Sequence, residues 1–173
     1  MIHCLLTTEV LSLSAVPAHF ETVTTLCSRS FYSLHNLLID DDWQSTTERS
    51  LTRRALFDLE NAAATLKHTG DTQPAIVQAH ETAEKYLKAA LSRTGSTKDL
   101  KKLGHDIPKI FKGLVQARPR YSCLTLPAEN LQILSQNMEL RYTSVPRSME
   151  MAAEAYHGAL YVCGLIAQMC LFD

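Results

Sequence analysis

From residue 17 onward, apolar residues recur at alternating spacings of three and four, the repeat that lines side chains along one face of an α-helix. Composition agrees with the pattern. Ala and Leu total 43 residues against 14 for Val and Ile, and Gly and Pro together make only 12 of 173. Helix formers without a branch at Cβ thus outnumber the β-branched aliphatics about threefold, which points to an all-α chain. At 173 residues the chain is long enough for one domain with a short appendage, and at this size roughly 70% of the unfolded surface can be buried.

Six helical segments can be read. The first runs from about Pro17 to Ile39, with Phe20, Val23, Cys27, Phe31, Leu34 and Leu38 as its stripe, and stops at the acidic turn Asp40-Asp41-Asp42. Ser45-Thr46-Thr47-Glu48 has the form of a capping box and opens a second helix that Gly70 ends. Asp71-Thr72-Gln73-Pro74 supplies a capping side chain and a first-turn proline for a third, which continues to Gly95 through Ile76, Ala79, Ala83, Leu87 and Ala90. Asp106 caps a fourth, through Ile107, Ile110, Phe111, Leu114 and Val115, closed by Pro119. The fifth spans about Ala128 to Tyr142 and the last Ser148 to near Cys170, where Ala152, Ala155, Ala159, Val162, Ile166 and Met169 form a narrow seam suited to close helix packing or a dimer contact. Short-looped helices with single apolar faces predict an up-and-down antiparallel helical bundle over residues 48–173, preceded by a helical extension, residues 1–47.

Charge is unevenly placed. The net value is −1, yet residues 81–120 hold ten basic and four acidic side chains while residues 1–50 hold two and six. The middle third is therefore a basic island, with Lys98, Lys101, Lys102, Lys109, Lys112, Arg118 and Arg120 able to face phosphate. Five cysteines without a Cys-x-x-Cys pair suggest neither a disulfide framework nor a zinc site, and a reducing cytoplasm is the simplest compartment. Met1–His19 lacks an early Lys or Arg and carries Glu9, a poor signal peptide. Residues 155–172 reach spanning length but include His157, Gln168 and two glycines, so no membrane span is expected.

The stretch from Ile76 to Leu91 is the most informative. Glu81 with Lys85 and Glu84 with Lys88 are i,i+4 pairs, read most simply as a solvated helix face. The wording Ala79-x-x-x-x-Glu84-Lys85-x-Leu87-Lys88-Ala89-x-Leu91, followed by Gly104-His105-Asp106-Ile107 and then Glu139-Leu140-Arg141-Tyr142, resembles the HEPN family, the higher eukaryotes and prokaryotes nucleotide-binding domain. The resemblance covers about residues 51–172, and the opening fifty residues have no counterpart in it.

The resemblance implies a helical bundle that pairs as a homodimer, associates with nucleotide or RNA, and is often encoded beside a partner nucleotidyltransferase in a toxin–antitoxin or defence pair. Arg141 and Tyr142 are then the first candidates for nucleotide or RNA binding, with Lys85, Lys88, His105, Lys98, Lys101 and Lys102 behind them. Many family members are metal-independent endoribonucleases in which an Arg is followed, after four to six residues, by a His. Arg can hold a phosphate while His exchanges a proton with the 2′-hydroxyl or leaving oxygen. Here Tyr142 follows Arg141, and fifteen residues separate Arg141 from His157. That departure places a binding role ahead of nuclease activity, for which Arg141 with His157 or His105 would be the catalytic candidates, and leaves a purely structural dimeric module as a third possibility.

Other chemistries have weaker signals. His80-Glu81-x-x-Glu84 lacks the last ligand of a zinc-protease motif, and Glu154-x-x-His157 has no second copy for a di-iron site, so no metal is expected. The six glycines are isolated, and no phosphate loop or dinucleotide fingerprint is present. No cofactor is expected. His105 reads as a loop residue bonded to backbone, Cys163 and Cys170 as buried small side chains, and Trp43 as an anchor or contact surface beside the acidic turn.

Overall fold

The computed structural model describes residues 46–95, 100, 102–123, 126, 128–135 and 146–171. These residues form five α-helices, α1 (Thr46–His68), α2 (Thr72–Ser92), α3 (Ile107–Ala117), α4 (Ala128–Ser135) and α5 (Met149–Leu171), with a 3-10 turn at Pro119–Cys123 between α3 and α4. Among the described residues there is no strand. The opening helix over 17–39, Asp40 to Trp43, Lys98, Lys101, the second half of the expected fifth helix and the Arg141-Tyr142 pair lie outside the described residues.

α1 and α2 form an antiparallel hairpin turned by residues 69–71. Gly70 has φ +65°, a conformation glycine adopts without steric cost, and its N–H bonds the Thr65 carbonyl at 3.1 Å. Cross-hairpin contacts fix the antiparallel sense: Thr65 Oγ1 donates to Gln78 Oε1 at 3.3 Å, Lys85 reaches Asp58, and Arg93 Nε stands 3.9 Å from Glu48 Oε1. Glu48, read from the sequence as half of a capping box, is buried against Arg93.

Helix starts are only partly as expected. Asp106 caps α3 by accepting from Lys109 N at 3.0 Å, and Ser148 Oγ accepts from Met151 N at 3.2 Å at the start of α5. Asp71 takes the extended conformation of a cap, but its side chain makes no capping bond. Its own N–H donates instead to Thr69 Oγ1 at 3.2 Å, so the local turn takes the place of the expected cap.

α2 is the central helix. It packs on α1, α5, α3 and α4, and thirteen of its 21 residues are buried. Thr72 Oγ1 donates to the Arg147 carbonyl at 2.9 Å, so α2 and α5 start at the same end of the bundle. α2 and α5 pack closely, and small side chains allow it: Ala75, Ala79 and Ala83 on α2, and Ala152, Ala155 and Ala159 on α5, are all 0% exposed. The alanine seam of the last helix is thereby consumed inside one chain rather than offered to a second copy. Cys163 is buried beside it, with Val162 and Ile166. No helix of the described residues is long and apolar enough to cross a membrane.

Candidate functional site around Glu84

The bundle's central helix carries His80, Glu84 and Lys88 on one line, one turn apart. Because α2 is surrounded, this line is not the solvated face expected from the i,i+4 pairing: Glu84 is 6% and His80 1% exposed. A carboxylate so placed must have partners, since an unpaired buried charge would cost several kcal/mol. It has them. Lys88 Nζ donates to Glu84 Oε1 at 2.8 Å and to the Gly104 carbonyl at 2.6 Å. His105 Nδ1 donates to Glu84 Oε2 at 2.8 Å, and His80 Nε2 stands 3.5 Å from the same oxygen.

His80 carries the arrangement to α4, because its Nδ1 makes a close hydrogen bond to the Leu134 carbonyl. A carbonyl only accepts, so Nδ1 holds the proton. Nε2 is buried without a hydrogen-bond partner and faces Glu84. One carboxylate thus ties together α2, the Gly104-His105 turn and, through His80, the helix that leads toward Arg141 and Tyr142. Burial works against the charge on Glu84, but the hydrogen bonds from Lys88 and His105 and the charge of Lys88 outweigh it and hold the carboxyl at about 2. His80, with its proton on Nδ1, turns a bare Nε2 toward Glu84 and adds no bond. At 3.5 Å the His80 contact is at the far limit of a hydrogen bond, so Lys88 and His105 at 2.8 Å are the strong partners.

A second ionic group lies one residue along. Lys85 pairs with Asp58 on α1 and with Glu81 Oε2 at 2.7 Å. Burial alone would depress the Lys85 ammonium, yet the two carboxylates raise it above its ordinary value. Lys85 is thereby held between helices and Lys88 within the Glu84 network, so both ammonium groups already have anionic partners.

His105, expected to bond backbone, is bonded to a side chain, and its own side chain remains 45% exposed. With Nδ1 taken by Glu84, Nε2 is the ring nitrogen available to a ligand. Lys102 lies exposed in the same turn, and Lys109 and Lys112 lie exposed on α3. Lys109 Nζ donates to the Lys102 carbonyl at 3.4 Å, which brings the two together. His157 sits half-buried on α5, its ring centroid 6.1 Å from that of Tyr156, and burial lowers its pKa from the usual imidazole value. Arg141, Tyr142, Lys98 and Lys101 fall outside the described residues.

Sequence reasoning missed Glu84 and His80 as the centre of the site. The available signal was α2 itself, where alanines at 75, 79, 83, 89 and 90 occupy more than one face and mark a helix packed on several sides. Among the described residues, no group of three or more His, Cys, Asp or Glu side chains is placed to hold a metal ion.

No curated protein and no solved structure matches the chain. A sequence model of the HEPN domain matches residues 48–167, which takes in all five helices but the ends of the first and last. With the all-α bundle, and with Glu84, Lys88 and the Gly104-His105 turn joined in one network, this match shows that the chain belongs to the HEPN domain family.

Proposed function

We propose that this HEPN protein binds the phosphates of a nucleotide or RNA without cleaving them, as a homodimer acting beside a partner nucleotidyltransferase in a toxin–antitoxin or defence-type pair. The observation that carries the reading is the fixing of His105 by Glu84 at 2.8 Å, in the same turn as the exposed Lys102, whose carbonyl Lys109 Nζ reaches, with Lys112 exposed one turn further along α3. A preset ring and nearby ammonium groups match the donors a phosphate needs, and the ring at least needs no ordering on binding. Arg141 supplies the bidentate partner in this reading, with Tyr142 as a stacking surface. Lys85 and Lys88 act indirectly, holding α1 and the Gly104 turn in place.

One observation favours a second reading, metal-independent endoribonuclease. A carboxylate on Nδ1 of a partly exposed imidazole is the arrangement that orients a general base, and His105 has it from Glu84. The Arg-to-His spacing of the family's nucleases is missing, which puts binding first.

Incubating the full chain with a mixed RNA pool in metal-free buffer, alongside Arg141→Ala, separates the readings. Retained complex with intact RNA, weakened in the variant, is the expected result. Cleavage abolished by Arg141→Ala and by His105→Ala would establish the nuclease instead, and neither retention nor cleavage would overturn both.

A further inference from the structure

Phe57 is 63% exposed at the middle of α1, and among the described residues it is the one exposed Phe or Tyr ring. A single exposed aromatic is ordinary on a protein surface, so its neighbours decide what it can do. One turn earlier, Arg53 and Arg54 are also exposed, and neither guanidinium makes a hydrogen bond or an ion pair among the described residues. Asp58, four residues after Arg54, is held by Lys85. At about 100° and 1.5 Å per residue, the ring lies about 40° around the helix from Arg53 and about 60° from Arg54. It therefore projects between the two, about 5–6 Å further along the axis. Ser50 and Ala64, exposed two turns to either side on the same line, are too small to cover the ring, and Glu60 is the only exposed acid of the helix.

These neighbours select one kind of partner over another. Leu56 packs against the core, so the exposed apolar area is the Phe57 ring with Ala64, too little for the buried centre of a protein interface. A flat ring between two unpaired guanidiniums suits a nucleic-acid strand instead. Bases stack on an aromatic face whatever their sequence, and arginine takes phosphate oxygens through paired N–H groups. A base is free to stack on a side chain only when it is unpaired, so the strand is single. We propose that the outer side of α1 is a contact for single-stranded RNA, in which one base stacks on Phe57 and the flanking phosphates meet Arg53 and Arg54. This contact rests on the RNA-binding reading above and adds a surface that it does not use: α1, and α3 with Lys109 and Lys112, each pack on α2.

Stacking and charge are separable in the full chain with two probes, an oligouridine of about 12 nucleotides and a base-free ribose-phosphate strand of the same length. Phe57→Ala is expected to weaken oligouridine binding about five- to 150-fold, the loss for one stacked base, and to leave binding of the base-free strand unchanged. Arg53→Gln with Arg54→Gln should weaken both and lower the slope of log K against log salt by about 1.4. Phe57→Trp, in a Trp43→Phe background, should bind as its parent chain does and lose indole fluorescence on adding oligouridine but not the base-free strand. Because Phe57 is outside the core, its replacement leaves the bundle folded, which circular dichroism checks. Wild-type binding of oligouridine with Phe57→Ala unchanged would overturn the contact and leave the RNA reading standing, whereas no binding by the wild type would overturn both. An equal loss of both probes in Phe57→Ala, or an indole that oligouridine leaves unquenched, would also overturn the contact, since the ring would then meet no base.

Discussion

Replacing Glu84 by Gln keeps the side chain's shape and removes its charge, which isolates what the carboxylate contributes. Its pKa falls from an ordinary 4.5 to about 2 on folding. A depressed carboxylate pKa means that the unfolded chain binds the proton more tightly. The stabilisation is therefore complete above the unfolded value and is lost as pH falls toward the folded one. A gap of about 2.5 units at about 1.4 kcal/mol each gives roughly 3 kcal/mol at pH 7. That figure sits at the lower end of the range for breaking one side of a buried ion pair, and only 7% of the Glu84 side chain is exposed to solvent screening. Urea unfolding of wild type and Glu84→Gln should therefore differ by about 3 kcal/mol at pH 7, by about 1 kcal/mol less at pH 4 and by about 2 kcal/mol less at pH 3. A difference below about 1 kcal/mol at pH 7, or one that does not change between pH 7 and pH 3, would refute the assignment of Glu84 as the anion of the network.

The capping geometry separates two aspartates that look alike in sequence. Asp106→Ala should cost about 1 kcal/mol in thermal or urea unfolding and Asp71→Ala close to nothing, because only the former accepts a backbone N–H. Equal costs would refute the distinction. Ala155→Leu puts three extra heavy atoms into the contact between α2 and α5, where Ala155 is 0% exposed, and should destabilise by about 1–3 kcal/mol or more. A neutral effect by the same assay would mean that α2 and α5 do not meet closely. Lys85→Met leaves Asp58 and Glu81 facing each other without their cation and should lower stability by about 1–2 kcal/mol at pH 7. The loss should shrink at acid pH as the carboxyls are protonated, and a loss independent of pH would remove the ion pairs from the explanation.

Much of the bundle could be read from local sequence, because local signals set it. Gly70 ends α1, Asp106 and Pro119 bound α3, and the three-and-four stripe of α5 is buried from Ala152 to Ile166. The site was less legible, for a physical reason visible at Glu84. Its i,i+4 relation to Lys88 is written in the sequence, but burial depends on the four other helices around α2, and no local pattern states it. The bond from His105 to Glu84 joins residues 21 apart, and the bond from His80 to Leu134 joins residues 54 apart. Contacts of that range follow from the packing of the whole bundle. The Asp71 cap failed at a smaller scale. The residue type suited the position, but Thr69 offered its hydroxyl to the same turn.

Phosphate binding at the surface beside His105 is tested most directly by the salt dependence of RNA retention, for wild type and for the triple variant Lys102→Gln, Lys109→Gln, Lys112→Gln. Each neutralised phosphate contact contributes about 0.7 to the slope of log K against log salt for a single strand, so losing three should lower the slope by about 2. Weaker binding with a slope reduced by about that amount, and RNA left intact in both proteins, is the result this account expects. An unchanged slope, or RNA cleaved by the wild type, would contradict it.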